Sequence, residues 1–379
     1  MARCIVLSDI GQIMLKKTRV AVLFGGRSAE HEVSLQSAVN VIAAIDPEKY
    51  EAVLIGIDHQ GNWYLNNPDK PLLNSPHPAA LSFDAQTQQV SFVVSEQQGQ
   101  LMVIGSNERL AVDVIFPILH GPYGEDGSVQ GLARLANVAC VGSDILGSAV
   151  GMDKDIAKRL LRDAGLEVAD FIALRHSQLN AELPNRVTQQ LGFPVYVKPA
   201  NMGSSVGVSK VSSPEALLSC LNKAFEYDTK VMIEAAVTGR EIECAVLGND
   251  EPQVSEVIGE IITDDQFYSY DRKYIDEDGA KLQIPADVSA TVLNKVQQVA
   301  LATYRCLEAR GMARVDMFLT DDEHVIVNEI NTLPGFTAIS MYPKLWQASG
   351  MSPKALVSEL IELALAEHAA KNALKQTEH

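Results

Sequence analysis

Near the C-terminus, two short runs carry oxygen ligands and a cation at strand spacing. Arg314 and Asp316 stand in ARVDMFL, and Glu329 and Asn331 stand in VIVNEIN. Side chains alternate faces along a strand, so residues two apart share a face. The polar tetrad Asp321, Asp322, Glu323 and His324 separates the runs, and the pattern predicts an antiparallel hairpin. One face of it would carry Asp, Glu and Asn oxygens. Such hard donors suit Mg2+, which needs few carboxylates when substrate phosphates complete its shell. Arg314 adds a planar positive fork. A hairpin with one wet face accounts for the carboxylates equally well. What favours the metal face is the tail Asn331-Thr332-Leu333-Pro334-Gly335, a sharp turn that could present a backbone N–H beside it.

Phosphates would need cations, and two lysines are placed unusually. Lys154 falls in the first turn of an amphipathic stretch, GMDKDIAKRLLRDAG, where the helix dipole disfavours a positive charge. Lys198 ends the strand of FPVYVKPANMGSSVGVSKV, and Gly203, Ser204, Ser205 and Gly207 then form a loop rich in N–H and hydroxyl donors. No Walker A pattern occurs in the chain. A strand ending in Glu234-Ala235-Ala236-Val237, with Glu241 just beyond, offers backbone groups and carboxylates suited to a nucleoside. Two loops after early strands, GGRSAEHEVS and HGPYGEDGSVQG, supply Glu30 and His120. Residues 264–286, with Lys273 and Tyr274, form a polar segment too long for a plain connection and read as a lid. For each residue alone, a cap, a turn or a surface position remains the plain alternative.

These groups need a frame. Thr18 to Phe24 reads as a buried strand, followed by a helix from about Ser34 with Ser34 as its N-cap. Further strands near 50–58, 90–94 and 112–119 alternate with helical stretches, which predicts an α/β layer with much parallel pairing. A dinucleotide-binding layer is disfavoured, because the first turn reads Gly25-Gly26-Arg27-Ser28-Ala29-Glu30 and lacks G-x-G-x-x-G. GMDKDIAKRLLRDAG is predicted as one helix with Gly165 as its C-cap, and a helix is expected over 289–310. With 379 residues the chain should hold two or three domains. A net charge of -17 argues against nucleic acid or an anionic membrane surface as partner. Five scattered cysteines without a C-x-x-C pair indicate neither a disulfide framework nor a zinc site, and fit a reducing cytoplasm.

Together these motifs resemble the ATP-grasp superfamily. GGRSAEHEVS, HGPYGEDG, GMDK, VKPANMGSSVGVSKV, YDRKY and NEINTLPGFTAISMYPKLW, in this order, are similar to those of the D-alanine:D-alanine ligases of bacterial cell-wall synthesis. The resemblance spans about Val20 to Trp346. It implies an α/β, ATP-grasp fold of three domains. An extension (1–17) would precede an N-terminal α/β domain (18–142), a central domain with the glycine-rich loop (143–233) and a C-terminal domain (234–379). By the same resemblance, Lys154, Lys198 and Lys273 would hold ATP phosphates, with Ser204 and Ser205 over them. Glu234, Ala236 and Val237 would hold adenine, and Glu241 ribose. Asp316, Glu329 and Asn331 would bind two Mg2+ ions, or Mn2+. Two D-alanines would meet there: the first held by Glu30 near His120, the second by Ser340 and Met341. Arg314 and the Gly335 N–H would hold the oxyanion, and Glu30, Ser204 and Tyr274 would join in a latch. A histidine at the Tyr274 position would instead favour D-lactate as acceptor, and a nucleotide sensor without catalysis is the other alternative. A homodimer is implied by the resemblance only.

Overall fold

The computed structural model describes residues 16–67, 69, 71–73, 75, 78–82, 87–94, 99–262 and 281–374. Strand β1 (Thr18–Gly25) lies between β2 (Tyr50–Ile57) and β7 (Val114–Ile118), parallel to both, and β8 (Ala139–Cys140) extends the sheet. Because β1 is buried on both faces, its apolar run is continuous rather than alternating. On the other flank β3 (Trp63–Leu65), β4 (Gln88–Val93), β5 (Gln100–Val103) and β6 (Arg109–Ala111) add an antiparallel meander, giving the order β6-β5-β4-β3-β2-β1-β7-β8. The expected parallel layer is therefore half of a mixed sheet. Its switch point lies at β1, where the chain leaves to one side for β2 and returns on the other for β7. Loops 26–30 and 119–127 emerge at that crevice.

Helix α1 (His31–Ala44) begins three residues before the expected Ser34. Ser34 does not cap it. Its hydroxyl accepts the Gly25 N–H at 2.7 Å and donates to the Ile118 carbonyl, tying α1 to both parallel strands from inside. Glu30 is thereby left as the N-cap residue, at the mouth of the crevice. A second difference concerns GMDKDIAKRLLRDAG. The stretch is split between α3 (Ile145–Met152) and α4 (Lys154–Asp163), because the Asp153 side chain accepts the Ile156 N–H at 3.1 Å and starts a new helix. Gly165, at φ +80, follows the last turn as expected.

Two antiparallel sheets follow. One has the order β11-β10-β12-β9, from β9 (Phe171–Arg175), β10 (Val195–Pro199), β11 (Ser209–Val211) and β12 (Lys230–Ala235). Helices α5 (Leu183–Gln190) and α6 (Pro214–Ala224) cover it. In the other, β13 (Arg240–Gly248) pairs with β17 (Gly311–Leu319) and with β15 (Gly259–Ile262), and β16 (Lys281–Gln283) borders β15. β14 (Gln253–Val254) adds to β13, β18 (Val325–Asn331) closes the far edge, and α7 (Ala290–Cys306) packs behind.

Helices α8 (Met341–Ala348) and α9 (Pro353–Asn372) join the first and last units. Leu345, Trp346, Leu356, Leu360 and Ile361 share one core with Val20, Phe24, Leu35, Val41 and Phe116. At about 1.5–3 kcal/mol for each fully buried large apolar side chain, this core fixes the crevice against the turn that ends β18. Leu360→Ala should accordingly destabilise the protein by about 2–5 kcal/mol, read as a lower urea midpoint.

Candidate active site

The polar hairpin of β17 and β18 has the expected register, with Arg314 opposite Asn331 and Asp316 opposite Glu329. A bulge follows Asp316, where the pairing slips by one residue. On the other side of β17, Glu243 lies opposite Asp316. Like charges facing across a ladder repel. The Arg314 guanidinium resolves this: it grips both Asp316 oxygens at 2.7 Å and reaches Glu243 Oε2 at 3.0 Å. Asn331 Nδ2 donates to Asp316 Oδ2 at 3.0 Å.

Glu329 pairs with Lys154, Nζ to Oε2 at 3.1 Å, and the same ammonium donates to the Met202 carbonyl at 2.8 Å. Lys154 is the first residue of α4, so the carboxylate offsets the unfavourable dipole there. Burial would lower the Lys154 pKa, yet Glu329, with Glu125 and Glu234 behind it, more than offsets this and the value stays raised. On the neighbouring sheet, Lys198 and Glu234 lie on one face of β10 and β12 and form an ion pair. Lys158, one turn beyond Lys154, pairs with the other oxygen of Glu234. Burial alone would push the Glu234 carboxyl up, but Lys158 and Lys198 hold it below its ordinary value.

Glu30 faces this charged cluster from the first unit. Its Oε1 accepts a hydrogen bond from the Ser204 hydroxyl. A Cβ at Gly203 would sit 2.8 Å from Glu30 Oε2 and one at Gly121 would sit 3.1 Å from it, so both glycines make room for the carboxylate. Ser204 and Ser205 hold φ of 47° and 59°, left-handed values unusual for serine, which bend the loop toward Glu30. His120 is buried and its tautomer is set by its neighbours. Nδ1 must donate to the Leu333 carbonyl at 3.1 Å, and Nε2 lies 3.4 Å from the Ser37 hydroxyl, which accepts the Phe336 N–H. Burial also lowers the His120 pKa, so the ring is neutral at pH 7.

The turn after β18 is fastened to α1 as well: Asn40 Nδ2 donates to the Phe336 carbonyl at 2.8 Å. Gly335 lies against Ser340, where a Cβ would meet its Oγ at 2.9 Å. The Ser340 hydroxyl takes the Thr337 N–H at 2.9 Å. Met341 buries its side chain under Gly259, so only its backbone can face a ligand.

One cavity of about 120 Å3 is bordered by Glu30, His120, Ser204, Arg314, Glu329, Asn331, Gly335, Ser340 and Met341. Lys154 and Asp316 adjoin it through their ion pairs with Glu329 and Arg314, and Glu234, paired with Lys198, is near enough to Lys154 to help raise its pKa. Ala236 and Val237 follow the end of β12, and Glu241, on β13, lies close enough to Tyr196 of β10 to raise its pKa, behind burial as the larger cause. Lys273 and Tyr274, and most of the expected lid, lie outside the described residues. Sequence reasoning missed Lys158, Glu243 and Glu125. Among the described residues no cluster of three His, Cys, Asp or Glu side chains could hold a metal by itself. Two carboxylates and an amide oxygen suit Mg2+ or Mn2+ arriving with phosphates, which supply the remaining ligands.

Residues 19–143 match the family described as D-ala D-ala ligase N-terminus, and residues 160–362 match D-ala D-ala ligase C-terminus. The chain belongs to the D-alanine–D-alanine ligase family. It is 53% identical over 364 residues to D-alanine–D-alanine ligase A of Escherichia coli strain K12, covering 96% of this chain and 100% of that protein. The solved D-alanine-D-alanine ligase of Coxiella burnetii matches with a TM-score of 0.84 and 36% identity, over 94% of this chain and 96% of that one. VanG D-Ala:D-Ser ligase of Enterococcus faecalis matches with a TM-score of 0.83 and 35% identity, over 92% and 100%. These neighbours agree with the expected ATP-grasp architecture.

Glu125 gives the site a pH signature. Burial, then the nearby Glu30 carboxylate, pushes its carboxyl up to about 8. The Gly121 N–H donates to Glu125 Oε2 at 2.6 Å. A raised acid pKa in the native state means stability that is full below the ordinary carboxylate value and lost as pH rises through about 8. Glu125→Gln should remove that loss. Its urea midpoint should match the parent near pH 4.5 and exceed it increasingly up to about pH 8, with no further divergence above.

Proposed function

We propose that the protein joins two D-alanines into D-alanyl-D-alanine for peptidoglycan synthesis, using ATP and passing through an acyl phosphate. The observation that carries this is one cavity bordered both by Glu30 of the first unit, a carboxylate suited to a substrate ammonium, and by the Arg314–Glu329–Asn331 face of the hairpin. Its family, and the names of its most similar relatives, give the substrate.

ATP would lie between the two antiparallel sheets. Glu234, with the Ala236 and Val237 backbone, would face adenine, and Glu241 ribose. Lys154 and Lys198 would exchange their present partners, Glu329 and Glu234, for phosphate oxygens, helped by Lys273. Asp316, Glu329 and Asn331 would hold two Mg2+ ions, or Mn2+. Such ions neutralise charge between clustered phosphates and a carboxylate. Glu30 would take the first D-alanine's ammonium, leaving its carboxylate aimed at the γ-phosphate. Phosphorylation gives that poor acyl donor a good leaving group. The second D-alanine, its carboxylate at Ser340 and the Met341 backbone, would attack with its amine. Arg314 and the Gly335 N–H would then stabilise the oxyanion as phosphate departs. Ser204 already bonds Glu30, so two of the three latch members are in contact; Tyr274 would complete it and exclude water.

The rest of the organisation follows the same reading. A domain boundary at 142/143 suits the change of sheet after β8, whereas 233/234 falls within β12 and the change of sheet comes at 236–239, before β13. A homodimer is expected from the family alone, and a cytoplasmic site is supported by the free state of the described cysteines. No described helix is long and apolar enough to cross a membrane.

The testing assay measures phosphate release from ATP with D-alanine, D-serine or D-lactate, followed by product identification. D-Alanine should stimulate most. Equal stimulation by D-lactate would favour the depsipeptide ligase, and stimulation by none would favour a nucleotide sensor. Arg314→Ala should lower kcat roughly 100-fold or more, in line with ~2.7–4 kcal/mol for one lost oxyanion donor. Near-normal turnover in that variant would remove Arg314 from the role.

A further inference from the structure

Lys158 has no part in the chemistry above, yet it is the least exposed charged residue among those described. It stands on α4 one turn past Lys154. Its ammonium meets Glu234 Oε1 and lies 3.4 Å from the Val327 carbonyl. Lys198 occupies Glu234 Oε2, so this one carboxylate has two counter-ions.

The two lysines are not equivalent. Lys198 ends β10, where the glycine-rich loop starts, and its side chain is 11% exposed, against 1% for Lys158. On the reading given above, on which this inference rests, Lys198 moves to the phosphates when nucleotide binds. Glu234 would then be a buried carboxylate deprived of one partner. A second cation must stay, or the group will take up a proton. Lys158 is the residue placed to stay: it is enclosed, it has the Val327 carbonyl as a further anchor, and it holds the other oxygen of Glu234.

We propose that Lys158 is the fixed counter-ion that keeps Glu234 ionised and oriented after Lys198 departs, and that it thereby sets the preference for a base bearing an exocyclic amino group. An ionised carboxylate can only accept hydrogen bonds. It welcomes the amino group of adenine and repels the carbonyl that hypoxanthine carries at the same place. A protonated Glu234 could donate to that carbonyl, and the distinction would fade. Lys158 is thus a positioning residue, acting on the nucleotide only through Glu234.

Binding rather than turnover tests this. Calorimetric titration of the full chain with Mg2+–ATP and with Mg2+–ITP, in the absence of D-alanine, gives the ATP/ITP affinity ratio. Lys158→Met keeps the length of the stem and removes the charge. It should weaken ATP about tenfold or more while changing ITP less than about threefold, so that the ratio falls toward that of Glu234→Gln. If Glu234→Gln leaves the parent ratio intact, Glu234 does not face the base and the site reading itself fails. If Glu234→Gln collapses the ratio and Lys158→Met does not, the role of Lys158 alone is overturned. Should Lys158→Met fail to fold, the neutral pair Lys158→Met/Glu234→Gln is compared with Glu234→Gln. Equal ATP and ITP affinities are expected, and a further ATP-specific loss would show that Lys158 acts by another route.

Discussion

The constraint on which the structure depends is that its buried carboxylates cannot be left without cations. Taking an ion out of water costs several kcal/mol even after relaxation, and only close, well-bonded partners offset it. Glu234 has Lys158 and Lys198, Glu329 has Lys154, and Asp316 and Glu243 share Arg314. All but the Arg314–Asp316 pair, which lies within β17, bridge separate elements: α4 to β18, α4 and β10 to β12, and β17 to β13. Through α4, whose lysines reach both β18 and β12, the charge pairs tie the two antiparallel sheets to one helix.

That arrangement also explains how a strongly acidic chain can receive a triphosphate. The net charge of -17 would repel it, but the cleft concentrates cations already desolvated and already aimed inward. Their carboxylate partners offset the repulsion among them. A divalent ion and a phosphate chain arriving together offer new partners to both halves of each pair. Exchange of partners, rather than exposure of bare charge, is what the geometry allows. The hydrophobic core shared by the first sheet and the last two helices then holds Glu30 and His120 at a fixed distance from the turn at Gly335.

Much of this could be read in the sequence where a polar residue interrupts an apolar strand. Arg314, Asp316, Glu329 and Asn331 stood out for that reason, and the hairpin followed from the period of two. Glu243 carries the same signal in EIECAVLG, two residues past Glu241 at the start of a buried run, but the strand lies far from the hairpin in sequence. Lys158 looked like one of several basic residues on an amphipathic helix. Its spacing of four from Lys154 was the available clue that both share a face. Ser34 misled as a cap, since nothing local reveals that its hydroxyl is needed between β1 and β7. The break at Asp153 was legible in principle, an Asp three residues before a helical N–H, but a continuous apolar stripe obscured it. Strand order in the first sheet was not legible, because it depends on long-range pairing that local pattern does not encode.

The most direct measurement is a crystal structure of the full chain soaked with Mg2+ and a non-hydrolysable ATP analogue. The expected result has the metal on Asp316, Glu329 and Asn331, with Lys154 and Lys198 turned from their carboxylates to phosphate oxygens. A triphosphate bound elsewhere, with both lysine pairs intact and the hairpin carboxylates free of metal, would contradict the account.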